Sequence, residues 1–231
     1  MTTSPADRAP DLPAAVLWDM DGTLVDTEPY WMECEFALVE AHGGAWSEEH
    51  AHALVGNDLI TSARYLRRVG GVDLPVTRIV DLLLDGVIER VRRRVPWRPG
   101  ARELLADLVA LGVPCALVTM SYRRFAECVL DALPPGSFAT LVAGDDVTRG
   151  KPHPEPYLTA AVRLDVDPGH CLAIEDSQTG LTSAVAAGVP ALGVEHLVPL
   201  SRGAGRYVVD TLEGVTPADL ARFAAGLRAA G

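Results

Sequence analysis

Asp19 and Asp21 close an apolar run in "AVLWDMDGTLVDTEP", residues 15–29, with one methionine between them. A carboxylate can attack an electrophilic centre and carry a covalent intermediate. A second one two residues on can give a proton to the leaving oxygen and take one from water. On an extended chain, residues i and i+2 point to the same side, so the pair could address one reacting group. Three more chemistry-bearing stretches follow: Thr119 in "LVTMS", Lys151 in "DDVTRGKPHPEP", and Glu175 with Asp176 in "EDSQTG". Clustered carboxylates make a hard oxygen cage suited to Mg²⁺. Such an ion would offset their repulsion and clamp a phosphate oxygen. A lysine and a threonine hydroxyl can hold the remaining phosphoryl oxygens, and a helix opening at "EDSQTG" would add its positive dipole end.

Each of these residues also has a plainer use. Asp19 and Asp21 alone are compatible with a turn and a helix cap, and "EDSQTG" with a cap alone. Their convergence decides against that. "GDDVTRGKP" is not a P-loop: five residues separate Gly144 from Gly150 where that motif has four, and Pro152 stands in place of Ser/Thr. The six histidines form no spaced ligand set, and "RVRRRV" at 90–95 reads as a solvated helix face. Trp31, Trp46 and Trp97 read as packing anchors.

The elements that must position these residues follow from periodicity. Apolar, β-branched runs predict strands at Ala14–Asp19, Pro114–Thr119, Ala139–Ala143 and His170–Ile174, with weaker ones at Pro190–Val194 and Arg206–Val209. Helices are expected between and after them, at Arg102–Leu111, Ser121–Leu133, Glu155–Leu164, Thr179–Ala187 and Ala218–Ala230. Strands alternating with helices imply a parallel sheet covered on both faces. Residues 29–96 break that rhythm and read as helices throughout: Tyr30–Ala41, Glu48–Leu54, Leu59–Val69 and Val76–Val95. The expected fold class is therefore α/β, a Rossmann-like parallel sheet core with a small α-helical cap domain inserted after strand 1. Its parts are a flexible leader (1–13), a core (14–28 and 97–231) and a cap (29–96). In an open α/β sheet, ligands bind beyond the carboxyl ends of the strands, where the acids, the hydroxyl and the lysine all fall.

The chain has 231 residues, 48% of them hydrophobic, and a net charge of −11. It is long enough for one full core, or for a core domain plus a smaller one. No basic footprint for nucleic acid exists, and no apolar run has the length of a membrane span. Cys34, Cys115, Cys128 and Cys171 are scattered without a CxxC pair, which fits reduced core thiols and a cytoplasmic protein. A monomer is the default expectation.

"DMDGTLVDTEP" resembles the first motif, DxDGT, of the haloacid dehalogenase superfamily of phosphotransferases. Thr119, Lys151 in "GKPHPEPY" and "EDSQTG" are similar to its second, third and fourth motifs, in order. The insert resembles the helical cap of the β-phosphoglucomutase-like branch. The resemblance implies that Asp19 is the nucleophile and Asp21 the acid/base. It implies that Asp19, the Asp21 carbonyl and Asp176 bind Mg²⁺ with Glu175 nearby, and that Thr119, Met120, Ser121 and Lys151 hold the phosphate or substrate.

A phosphatase acting on a small phosphorylated molecule, a sugar or polyol phosphate, is the activity implied. A sugar phosphomutase is an alternative. It is weakened because Trp31 and Leu59 stand where that branch places a histidine and a basic residue, although Arg64 keeps some charge in the cap. "DTEPYW" resembles the hexose- and hexitol-phosphate phosphatases instead. Dehalogenases do not need the metal cage that Asp21 and Asp176 imply. Phosphonoacetaldehyde hydrolysis needs a cap lysine, and residues 29–96 contain none. A non-catalytic binding module would be expected to lose Asp19 or Asp21. Cap hinges are expected at Thr27–Pro29 and Pro96–Gly100. Substrate selection is expected from Gly56–Asp58 and Glu28–Trp31.

Overall fold

The computed structural model describes residues 12–55 and 58–229. The expected leader lies outside the described residues apart from its last two positions, and so do Gly56 and Asn57 of the expected cap loop. The chain divides into two compact units, one made of Met1–Val25 and Trp97–Gly231, the other of Asp26–Pro96.

The first unit holds six strands: β1 (Ala15–Trp18), β2 (Cys115–Val118), β3 (Thr140–Val142), β4 (Cys171–Glu175), β5 (Ala191–Val194) and β6 (Arg206–Val209). All neighbours pair in parallel, in the order β3-β2-β1-β4-β5-β6. The apolar runs are continuous rather than alternating because both sheet faces are buried. Ala15 and Leu17 join Ala116, Val118, Val142, Cys171 and Ala173 in one core, together with Tyr157, Ala160, Leu181 and Ala184. Val16 and Trp18 point the other way and are equally buried.

The helices of this unit are α5 (Ala101–Ala110), α6 (Arg123–Leu130), α7 (Glu155–Leu164), α8 (Gln178–Ala186) and α9 (Pro217–Ala229). α7 and α8 touch each other and pack on β1–β3 and on β4–β5 respectively. α5 and α9 touch each other and pack on β2 and on β4 and β6. α6 is shorter than the Ser121–Leu133 span predicted. Ser121 stays outside it because its backbone N–H is donated to Thr119 Oγ1 at 3.0 Å and its hydroxyl is engaged elsewhere.

The chain runs outward from β1 to β2 and β3, then returns to β4 on the other side of β1. That reversal is a topological switch point, where such sheets bind ligands. The register sets Trp18 level with Leu117 of β2 and Ile174 of β4. The residues that follow these three positions therefore emerge together.

The second unit contains α1 (Glu28–Ala41), α2 (Glu48–His52), α3 (Leu59–Val69) and α4 (Val76–Arg93). α1 and α3 each pack on α4. α4 buries Ile79, Val80, Leu83, Leu84, Val87, Ile88 and Val91, a helical stripe. It stops before the predicted Val95, since Arg94 is already extended and a residue preceding proline is driven out of the α region. Asp58 caps α3 by accepting from the Thr61 N–H at 2.9 Å. Among the described residues no helix is long and apolar enough to cross a membrane. All four cysteines are buried free thiols.

Candidate active site

Asp19 follows β1 directly and remains in the ladder through its N–H, which donates to the Ile174 carbonyl at 2.9 Å. The chain then turns sharply. Gly22 N–H donates to Val25 O, and Leu24 and Val25 N–H both donate to Met20 O. Gly22 has φ +87°, a left-handed conformation that glycine adopts without a Cβ clash. Asp21 therefore sits in a tight loop beyond β1, bridged to Val25. Two hydroxyls engage its Oδ2, Ser121 Oγ at 2.7 Å and Thr119 Oγ1 at 3.5 Å.

Thr119 and Ser121 are placed by the end of β2. Thr119 N–H donates to Val142 O, and Gly144 N–H donates to Ser121 O at 3.0 Å. A Cβ at Gly144 would overlap the Met120 carbonyl, so glycine is needed there for the two loops to touch.

Lys151 reaches back from the loop before α7 and is almost fully buried. Its ammonium has three protons and three acceptors: Asp19 Oδ1 at 2.7 Å, Glu175 Oε1 at 2.6 Å and the Val118 carbonyl at 2.8 Å. Burial alone would discharge it, but the charges of Asp19 and Glu175 outweigh that and hold its pKa above the usual lysine value.

Glu175 ends β4 with no exposed surface. Its Oε1 accepts from Lys151 and from the Tyr157 hydroxyl at 2.8 Å, and its Oε2 from the Ser177 N–H and hydroxyl at 3.3 and 3.0 Å. Ser177 also caps α8, accepting from Gly180 N–H at 3.0 Å. "EDSQTG" thus carries both the helix cap and the acid pair. A Cβ at Gly180 would overlap the Glu175 carboxylate.

Asp176 accepts from the Thr23 hydroxyl at 3.3 Å, and a Cβ at Gly22 would overlap its carboxylate. The Gly-Thr that follows Asp21 in sequence therefore serves Asp176, 153 positions away from Thr23.

Asp19, Glu175 and Asp176 each offer a carboxylate oxygen, all within 4.8 Å of one another. Burial first, and the charge of Glu175 second, raise the Asp19 pKa well above the usual carboxylate range. The same two causes lift Asp176 to about 7. Acids crowded out of water in this way favour a cation among them. The oxygen-only donor set suits a hard divalent ion.

Sequence reasoning passed over Thr23, Tyr157, Ser177, Gly144 and Gly180. All five lie inside the quoted stretches, so adjacency was an available signal. The contacts of Tyr157 and Gly144 arise only in the fold.

A haloacid dehalogenase-like hydrolase family model matches residues 13–188. Phosphoglycolate phosphatase of Escherichia coli O157:H7 is 32% identical over 203 residues, covering 78% of this chain and 81% of that protein. Hexitol phosphatase B of Escherichia coli K12 is 31% identical over 177 residues, covering 75% and 79%. The bifunctional riboflavin kinase/FMN phosphatase of Arabidopsis thaliana is 30% identical over 194 residues. That match takes in 80% of this chain but spans only about half, 49%, of the longer plant protein. The crystal structure of CbbY from Rhodobacter sphaeroides in complex with phosphate superposes with a TM-score of 0.80 at 27% identity, covering 90% of this chain and 99% of that one. The parallel sheet, the carboxylates gathered at its switch point and these likenesses agree: the chain belongs to the haloacid dehalogenase-like hydrolases, in the branch of the sugar-phosphate phosphatases and β-phosphoglucomutase-like proteins.

Proposed function

We propose that this chain is a Mg²⁺-dependent phosphatase that hydrolyses a sugar or polyol phosphate through a phosphoryl group carried on Asp19. That it is a phosphoric monoester hydrolase follows from its family. The observation that carries the finer reading is the Lys151 ammonium, fixed 2.7 Å from Asp19 Oδ1 beside a carboxylate cluster at the sheet's switch point. Its relatives include proteins named for phosphoglycolate and hexitol phosphates, and CbbY is seen with phosphate bound.

Asp19 attacks the phosphorus and the bond to the ester oxygen breaks. Asp21 gives its proton to that oxygen, so a neutral alcohol leaves. Asp21 then takes a proton from a water molecule that attacks the phosphorus, releasing phosphate and restoring the Asp19 carboxylate. The Ser121 hydroxyl, 2.7 Å from Asp21 Oδ2, holds that carboxylate for both transfers. Lys151 balances the negative charge that builds on the phosphoryl oxygens, and Thr119, the Met120 backbone and Ser121 surround them. Mg²⁺, held by Asp19, the Asp21 carbonyl and Asp176 with Glu175 nearby, would neutralise phosphoryl charge and orient the ester.

A panel of phosphomonoesters assayed with and without Mg²⁺, on the wild type and on Asp19→Asn, tests this. Turnover is expected only with metal, and a loss of at least about 10³-fold in Asp19→Asn. Turnover that survives in Asp19→Asn contradicts the mechanism. β-Glucose 1-phosphate supplied with a bisphosphate primer is expected to yield free phosphate. Glucose 6-phosphate in its place would make the chain a mutase.

A further inference from the structure

Tyr157 lies beneath the site with none of its surface exposed, in the core between the sheet and α7. A buried phenol needs one hydrogen-bond partner, and any carbonyl would serve. This one touches two charged groups at once. Its hydroxyl donates to Glu175 Oε1 at 2.8 Å, and its ring centroid lies 5.2 Å from the Lys151 ammonium.

Each Glu175 oxygen accepts two hydrogen bonds: Lys151 and Tyr157 share Oε1, and the Ser177 N–H and hydroxyl share Oε2. Two of its restraints are thus on the backbone and cap of α8, and the third is the phenol on α7. Lys151 has no proton left over, with Asp19, Glu175 and Val118 O as its acceptors. The ammonium that faces the nucleophile is therefore held by a carboxylate that is itself pinned from two helices. The α7 pin is Tyr157.

We infer that Tyr157 is a positioning residue for the reaction: its hydroxyl fixes Glu175, and its hydroxyl and ring together fix the Lys151 ammonium against Asp19. The inference rests on the phosphoryl-transfer reading above. Without the hydroxyl, Glu175 Oε1 keeps Lys151 as its one donor, and the ammonium is bound to a less firmly held partner. The transition state, where phosphoryl charge is greatest, should feel this more than the ground state does.

Tyr157→Phe keeps the ring and removes only the hydroxyl. Its kcat is expected to fall about tenfold with KM changing less than about threefold, as for loss of one hydrogen bond to a charged group acting in the transition state. By ¹⁵N-detected lysine NMR, the Lys151 ammonium protons are expected to exchange with water at least about tenfold faster, following the loosened partner. A phenol that merely fills the core would lower the unfolding temperature and leave both readouts alone.

If either kcat or Lys151 exchange stays within about twofold of the wild type, the inference is overturned. If Tyr157→Phe does not fold, Glu175→Gln must show the same slowed turnover and faster Lys151 exchange, and its failure to do so overturns the inference equally. Asp19→Asn assayed in parallel separates the two levels. Turnover surviving there removes the phosphoryl-transfer reading itself, whereas an inactive Asp19→Asn beside an unimpaired Tyr157→Phe removes only the role of Tyr157.

Discussion

Asp176 is held by residues that carry no charge. Thr23 donates to it, and Gly22 leaves the space its carboxylate occupies while adopting φ +87°. Gly22→Ala would place a Cβ in a left-handed residue and into that carboxylate. Divalent-metal affinity is then expected to fall by about 10–100-fold, the usual effect of disturbing a ligand's supporting contacts. Isothermal titration with Mg²⁺ measures it, and an unchanged affinity would detach Gly22 from the site. The same carboxyl makes a pH prediction. Burial and Glu175 hold Asp176 at about 7, so below that pH a cation must displace a proton. Apparent Mg²⁺ affinity should rise with pH through that point, by about tenfold per pH unit for each proton displaced. A flat profile between pH 5.5 and 8.5 would contradict this assignment of charge.

Among the elements, α1 carries a group with no part in the proposed chemistry. Glu35 is 5% exposed, and its Oε2 has no hydrogen-bond partner among the described residues. Burial, then the charge of Glu28, push its carboxyl up to about 8, with the Trp46 indole offsetting part of the effect. A carboxyl whose folded pKa exceeds its unfolded value of ~4.3 binds its proton more tightly in the native state. Its stabilisation is complete below about pH 4 and is lost as pH rises through about 8. Glu35→Gln should therefore flatten the pH dependence of the helical unit's unfolding across that window. The variant should be more stable than the wild type at pH 8.5 by on the order of 2 kcal/mol. Urea denaturation at pH 5.5 and 8.5 checks it, and equal slopes for the two proteins would refute it. The elements themselves were largely legible in the sequence, because strands buried on both faces leave continuous apolar runs and α4 repeats its apolar residues at helical spacing. The ends were less so. Ser121 was taken into a helix because its engagement with Asp21, 100 positions away, leaves no local trace.

At the scale of the molecule, the motifs were legible as a set because the sheet is parallel: Asp19, Thr119 and Glu175 each end an apolar run, and parallel strands bring such ends to one edge. The register could not be read from the sequence. It is the pairing of Trp18 with Leu117 and Ile174 that brings Asp19 level with Glu175, with Thr119 one residue further along β2. Nor could the role of Tyr157, since a tyrosine after "GKPHPEP" reads equally as core. Binding to the folded site alone links the metal to stability. Mg²⁺ at 100 times its Kd should raise the unfolding free energy of the sheet-containing unit by about 2.7 kcal/mol. Chelation should reverse the gain, which differential scanning calorimetry with and without EDTA would register. The most direct test of the account is to catch the phosphoryl group on the chain. Enzyme turning over a phosphomonoester with Mg²⁺ is quenched, treated with borohydride and mapped by mass spectrometry. An acyl phosphate at position 19 is reduced to homoserine, so conversion of Asp19, dependent on both substrate and metal, is the predicted result. An unmodified Asp19 under conditions of full turnover, or homoserine at another acidic residue, would contradict it.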